Sequence, residues 1–179
     1  VGPPRRAGAG RDRRDAVTAR DGNGFVHCRC GHRHWGLHGA AGLLLLRDDL
    51  AEPHALLQLR APWTHGGGTW ALPGGARDSH EDWREAAYRE ATEEVGLRTH
   101  ALRAAGEYVD PHGPTDADWR YVTVLALTSD DAGVHAANHE TSDLAWVPLG
   151  DVAGWSLHPG LALTWPHISP LAHAAAAGA

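Results

Sequence analysis

One stretch constrains this chain more than any other: a densely acidic helix pattern that follows a glycine turn. From Glu81 to Glu94 it carries six acids (Glu81, Asp82, Glu85, Glu90, Glu93, Glu94) against two bases, Arg84 and Arg89. Between the acids, Trp83, Ala86, Ala87, Tyr88, Ala91 and Val95 recur at helical spacing. This pattern predicts a helix from about Ser79 to Val95, with Ser79 as N-cap, Glu81 and Asp82 in the first turn and Gly96 as the stop. Glu90, Glu93 and Glu94 then stand at i, i+3 and i+4, with Cβ atoms roughly 5–6 Å apart on one face. Like charges so placed cost a few tenths of a kcal/mol per pair, and they crowd the negative end of the helix dipole. A helix built for stability alone would carry Lys or Arg there. A solvated acidic face is the plain alternative, but the small residues opposite let the helix pack closely on a sheet and hold its acids on a defined surface. The counter-charge such a surface calls for is a hard divalent cation with oxygen ligands.

Around this helix the pattern alternates. Gly42–Arg47 and His54–Arg60 read as strands joined by a polar turn, and Thr69–Leu72 as a short strand ended by Pro73-Gly74-Gly75. Leu102–Val109, Arg120–Leu127 and Leu144–Val147 read as further strands, with a helical turn near Leu149–Val152 and a Pro/Gly/Asp loop over Asp110–Asp118. The order β-β-β-α-β-β-β-α predicts an α/β fold, a mixed sheet flanked by helices. At 179 residues and 42% hydrophobic, the chain suffices for one domain with a sizeable core.

Three segments follow. Residues 1–20, with six arginines and almost nothing to bury, are expected to be a disordered Arg-rich tail. Residues 21–169 are the domain, and 170–179 a flexible Ala-rich tail. No apolar run reaches the roughly 18 residues of a membrane span, and no signal-peptide pattern precedes the domain, so a cytoplasmic address is expected. The formal net charge of −6 argues against general nucleic-acid affinity. Oligomeric state is left open.

The spacing of the acidic segment is itself specific. Gly75, Glu81, Arg89-Glu90, the apolar Ala91, Glu93-Glu94, Val95, Gly96 and Leu97 stand at intervals that resemble the Nudix box, here residues 75–97. Ala91 is smaller than the aliphatic usual at its place. The resemblance extends more loosely from about Gly39 to Leu149. It implies a Nudix-type α/β/α sandwich with a mixed β-sheet, and a hydrolase that cleaves a diphosphate bond in a nucleoside diphosphate linked to another moiety, such as an oxidised dNTP or an ADP-ribose-like compound. It implies Mg²⁺, or Mn²⁺ in its place, held by Glu90, Glu93 and Glu94 with a backbone carbonyl of Gly74 or Gly75. Glu81 and Arg89 are implied as the pair that orients the loop and the glutamates. Glu140, in the loop before the last long strand, stands where the family often places one more acid. The general base is left among Glu90, Glu93 and Glu140. A non-catalytic regulator and a prenyl-diphosphate isomerase share the fold; the first usually loses box acids, and the second would need Cys28 or Cys30 facing the substrate.

Weaker features remain. Trp63, His65 and Trp70 flank the Gly66-Gly67-Gly68 loop, and Trp119 and Tyr121 open a strand; these aromatics either stack on a nucleobase or belong to core and rim. Trp63, Trp70 and Trp119 are taken as candidate substrate contacts. Cys28, Cys30, His32 and His34 are zinc-competent but do not match finger spacing. They read better as an ordered lead-in whose Trp35 packs against the sheet.

Overall fold

The computed structural model describes residues 20–27, 31, 33–110 and 119–178. Residues 1–19 of the expected Arg-rich tail, Cys28, Cys30, His32 and residues 111–118 of the loop after Asp110 lie outside these residues, whereas Arg20, expected as the end of that tail, is placed against the domain. The chain opens with a two-stranded hairpin, β1 (Phe25–His27) against β2 (Arg33–Trp35), in which Phe25 is paired with Trp35. Their rings meet edge-on at 4.9 Å and both stay exposed. Trp35 thus packs on its cross-strand neighbour rather than on the main sheet, because direct antiparallel pairing brings the two rings to the same face.

The main sheet is built on β3 (Ala40–Arg47), whose Leu43, Leu44, Leu45 and Leu46 are all fully buried. A continuous apolar run is what a strand covered on both faces requires. Each leucine so buried contributes about 1.5–3 kcal/mol. Along one edge β3 runs parallel to β8 (Tyr121–Thr128), which pairs in turn with the antiparallel β7 (Arg103–Val109). Along its other edge β3 meets β4 (His54–Arg60) at only two residue pairs, Leu46 with Ala55 and Arg47 with His54. Beyond these the strands part. The free edge of β3 is taken by β6 (Gly74–Ala76), that of β4 by β5 (Trp70–Ala71), and Leu72-Pro73 connects the two across the gap. The outer edge of β4 carries β9 (Thr141–Pro148) along its whole length. The sheet is therefore mixed, as expected, and forks into a V. The fragment Gly74–Ala76, expected as part of a turn, extends instead because a vacant edge of β3 is there to pair with it.

Two helices cover the faces. α1 (Trp83–Val95) buries Ala86, Ala87, Ala91 and Val95 against Leu43, Leu45, Leu56, Val122 and Val124. α2 (Pro159–Ala177) buries Leu161, Trp165, Ile168 and Ala172 against Leu44, Leu46, Leu57 and Leu125 on the opposite face. The result is the expected α/β/α sandwich. α1 starts later than expected: its N-cap is Asp82, which accepts from the Glu85 N–H at 2.7 Å while the Glu85 side chain accepts from the Asp82 N–H at 2.8 Å. This reciprocal capping, worth about 1 kcal/mol, outcompetes Ser79, whose N–H and hydroxyl are both taken by Asp21. The helix ends at Gly96 in the left-handed conformation, as expected. The expected flexible stretch from residue 170 is instead the second half of α2, which continues to Ala177 through Pro166 and Pro170. Its spacing of buried residues, 161, 165, 168 and 172, forms one stripe on the sheet, and that burial offsets the hydrogen bonds the prolines remove.

Candidate active site

Glu94, one of the three clustered glutamates, lies at the mouth of the V and ties its arms together. One carboxylate oxygen accepts from the Gly74 N–H of β6 at 2.8 Å and from Gln58 Nε2 of β4 at 2.9 Å. The β6 ladder bonds reach β3 through Pro73 O and the Arg77 N–H, so the alternation of an antiparallel pair turns the Gly74 amide away from β3. Its carbonyl shares that outward edge. The Gln58 Oε1 accepts from the Thr141 hydroxyl at 2.8 Å. Thr141 reaches it because β9 shifts register against Leu59 and Arg60, and this bulge aims the threonine to the Gln58 face. Gln58 is thereby satisfied at both ends of its amide although it is 1% exposed. Burial pushes the Glu94 carboxyl up to about 7, against the pull of its two donors, and the charge of Glu90 adds to the rise.

Arg89 organises the second carboxylate group. Its Nε and Nη2 donate to the two oxygens of Glu81 at 2.6 and 2.9 Å, its Nη2 also to the Ala76 carbonyl at 2.8 Å, and its Nη1 to Glu90 at 2.6 Å. Glu81 further accepts from the Asp78 N–H at 2.9 Å. Burial works to raise the Glu81 carboxyl, but Arg89 and the Asp78 amide outweigh it and hold it below the ordinary range. Glu90 goes the other way: burial raises it, and Arg89 only partly compensates. The loop backbone passes directly over Glu90, since a Cβ on Gly75 would lie 2.7 Å from its carboxyl carbon. Gly75 is needed there for close approach.

Glu93 faces outward and is held by the Arg20 guanidinium, which donates to both its oxygens, one of them at 2.8 Å. Glu90, Glu93 and Glu94 thus share a helix face, as expected; the Arg89 guanidinium that holds Glu90 also lies 3.9 Å from Glu93, while Glu94 is turned to the Gly74 N–H and Gln58. Among the described residues the His/Asp/Glu trio with mutually close ligand atoms, within 4.8 Å, is Asp78, His80 and Glu81. Two of these are already engaged, Asp78 by the Gly22 N–H and Glu81 by Arg89. The three glutamates of the α1 face are engaged as well, Glu90 by Arg89, Glu93 by Arg20 and Glu94 by the Gly74 N–H and Gln58, and they stand beside the outward edge of the Gly74 backbone.

The remaining expected site residues are spread more widely. Glu140 sits exposed before β9, anchored through its backbone: its N–H donates to Asn138 and its carbonyl accepts from Ala61. Trp63 is 70% exposed beside the glycine loop. Trp70 packs edge-on against Trp155 at 4.7 Å, on the α2 side of the sheet. Trp119 stacks on His34 at 4.4 Å and donates to the Trp35 carbonyl. No ring contact among the described residues brings the three tryptophans together. Sequence reasoning missed Gln58, Thr141 and Arg20. A lone glutamine within the apolar run Leu56-Leu57-Gln58-Leu59 was the one available signal.

The NUDIX domain model matches residues 36–166. The chain belongs to the Nudix family. A Mycobacterium tuberculosis protein to which 8-oxo-dGTP diphosphatase activity is ascribed is 45% identical over 155 residues, covering 83% of this chain and 69% of the relative. A Bifidobacterium longum nucleoside triphosphate pyrophosphatase/Nudix hydrolase fusion protein is 37% identical over 153 residues; there the match covers 83% of this chain but 31% of the relative. Among solved structures, the Nudix hydrolase RenU from M. smegmatis superposes with a TM-score of 0.75 at 42% identity, over 84% of this chain and 94% of RenU. This chain is accordingly a Nudix hydrolase, a pyrophosphohydrolase. No helix among its described residues is long and apolar enough to cross a membrane.

Proposed function

We propose that this Nudix hydrolase cleaves the diphosphate linkage of a nucleoside diphosphate derivative in a metal-dependent reaction, with oxidised deoxynucleoside triphosphates as the leading substrate class. The observation that carries the reading is the set Glu90, Glu93 and Glu94 on one face of α1, set against the Gly74–Gly75 backbone. The activity ascribed to the M. tuberculosis relative favours the oxidised nucleotide over an ADP-ribose-like compound. The hydrolase names of the relatives give no support to a regulator or to a prenyl-diphosphate isomerase.

Glu90, Glu93, Glu94 and the Gly74 carbonyl would hold Mg²⁺ or Mn²⁺, which when bound neutralises diphosphate oxygens and lowers the barrier to attack at phosphorus. The protein's own part is to place and prepare the charges. The Gly74 N–H and Gln58 fix Glu94, with Thr141 fixing Gln58 in turn. Arg89, locked by Glu81 and the Ala76 carbonyl, fixes the rotamer of Glu90. One carboxylate among Glu90, Glu93 and Glu140 takes a proton from the attacking water, a contribution of about 10²–10⁴-fold. The water oxygen bonds to phosphorus as the bridging P–O bond breaks, and a nucleoside monophosphate leaves one side of the cut. Trp63, exposed beside the entry loop, offers its ring to the base; Trp70 and Trp119 are further candidates already engaged by Trp155 and His34. A diffusible nucleotide substrate and a sequence without a disulfide framework fit a cytoplasmic address.

The test is mononucleotide release from 8-oxo-dGTP, dGTP and ADP-ribose by wild type and Glu94→Gln, each with Mg²⁺, with Mn²⁺ and with EDTA. Metal-dependent turnover that collapses in a folded Glu94→Gln variant is expected. Undiminished turnover in that variant, or in EDTA, sinks the assignment.

A further inference from the structure

The segment Arg20–Gly22 is strapped across the box loop by contacts that form an anchored unit. The Gly22 N–H donates to Asp78 at 2.7 Å, and the Gly22 carbonyl accepts from the Leu37 N–H at 2.8 Å. Asp21 accepts from both the Ser79 N–H, at 2.8 Å, and the Ser79 hydroxyl, at 2.6 Å. These bonds hold the Asp21 carboxyl below the ordinary range. The fit is tight: a Cβ on Gly22 would lie 2.3 Å from the Arg77 carbonyl oxygen. One residue before this clamp, the Arg20 guanidinium occupies both carboxylate oxygens of Glu93.

A bidentate guanidinium uses the same lone pairs that a metal would use. We infer that Arg20 is a tethered counter-ion that competes with the divalent cation for Glu93, so that metal binding and strap docking oppose each other. This rests on the assignment of Glu93 as a metal ligand made above. The strap matters because it fixes the guanidinium near Glu93, which sets a local concentration no free arginine would reach. Linkage makes the opposition reciprocal: if Arg20 weakens metal binding, metal must weaken the hold of the strap by the same factor.

The experiment measures Mn²⁺ affinity by electron paramagnetic resonance or calorimetry, without substrate, for wild type, Arg20→Ala, Glu93→Gln, the double variant and Glu94→Gln. Arg20→Ala is expected to bind Mn²⁺ about three- to tenfold more tightly, the range for a partly exposed, charge-assisted pair. In the Glu93→Gln background the Arg20→Ala gain should vanish, because the contact is then already gone. Amide exchange over residues 20–22 should speed up when Mn²⁺ is added to the wild type. Unchanged or weaker Mn²⁺ binding by Arg20→Ala overturns the inference, as does a gain that persists in the Glu93→Gln background and so reflects net charge alone. Equal Mn²⁺ affinity of wild type and Glu94→Gln would instead refute the metal assignment itself, so the two failures are distinguishable.

Discussion

Consider Glu94→Gln in protein stripped of divalent cations. The Glu94 carboxyl is 5% exposed and is pushed from the 4.5 of an ordinary glutamate to about 7. A carboxyl whose folded value is raised stabilises the fold by preferring its proton there. That contribution is fully present below about pH 4.5 and is lost as pH rises through about 7. At about 1.4 kcal/mol per pH unit, the difference is worth about 3 kcal/mol. Other groups titrate in the same window. Glu90, also raised, acts in the same direction, whereas His158, lowered chiefly by burial, costs stability as pH falls. The wild-type curve alone therefore does not isolate Glu94, but its difference from the glutamine variant does. Urea denaturation of both proteins in EDTA, from pH 4.5 to 8.5, provides the measurement. The stability of wild type relative to the variant should fall by about 3 kcal/mol across that range. A difference flat to within about 0.5 kcal/mol, or one that grows with pH, would refute the reading of Glu94 as a buried, under-compensated acid.

Arg89→Ala leaves Glu81 and Glu90 without their cation in a site where Arg89 is 21% and Glu81 7% exposed. Breaking such a pair from one side should cost about 3 kcal/mol by urea denaturation, after allowance for the partial exposure, with Arg89→Lys recovering only part. Gly75→Ala drives a methyl into the Glu90 carboxyl, so Mn²⁺ affinity and turnover should fall about tenfold or more with little change in Tm; wild-type values would contradict the close approach. Trp63→Ala should raise KM without changing Tm, whereas Trp70→Ala should lower stability by about 2 kcal/mol through its lost packing on Trp155 and leave KM unaltered. The reverse pattern would exchange the two roles.

The sequence made the box helix, the mixed sheet and the acidic face readable because each rests on local periodicity. What it hid was settled by residues far apart in the chain. Asp82 with Glu85 three residues on was a capping pair in plain view, but Ser79 looked equally competent until Asp21, 58 positions earlier, claimed both its donors. Gln58 depends on Thr141 and Glu94, 83 and 36 positions away, and on a bulge that no spacing announces. The length of α2 was masked by its two prolines, although the stripe from Leu161 to Ala172 was present to be counted. Local rules recovered the elements; the partners of individual polar groups needed the fold.

The fork in the sheet has a mechanical consequence. Two antiparallel and parallel ladders joined at one end by two residue pairs form a pair of tweezers, with Leu72-Pro73 as the cord between the jaws. Across the gap the Glu94 carboxylate grips Gly74 on one jaw and Gln58 on the other. Glu94 is thus a clasp as well as an acid: the same side chain that brings a carboxylate to the site fixes the two arms of the fork beside it.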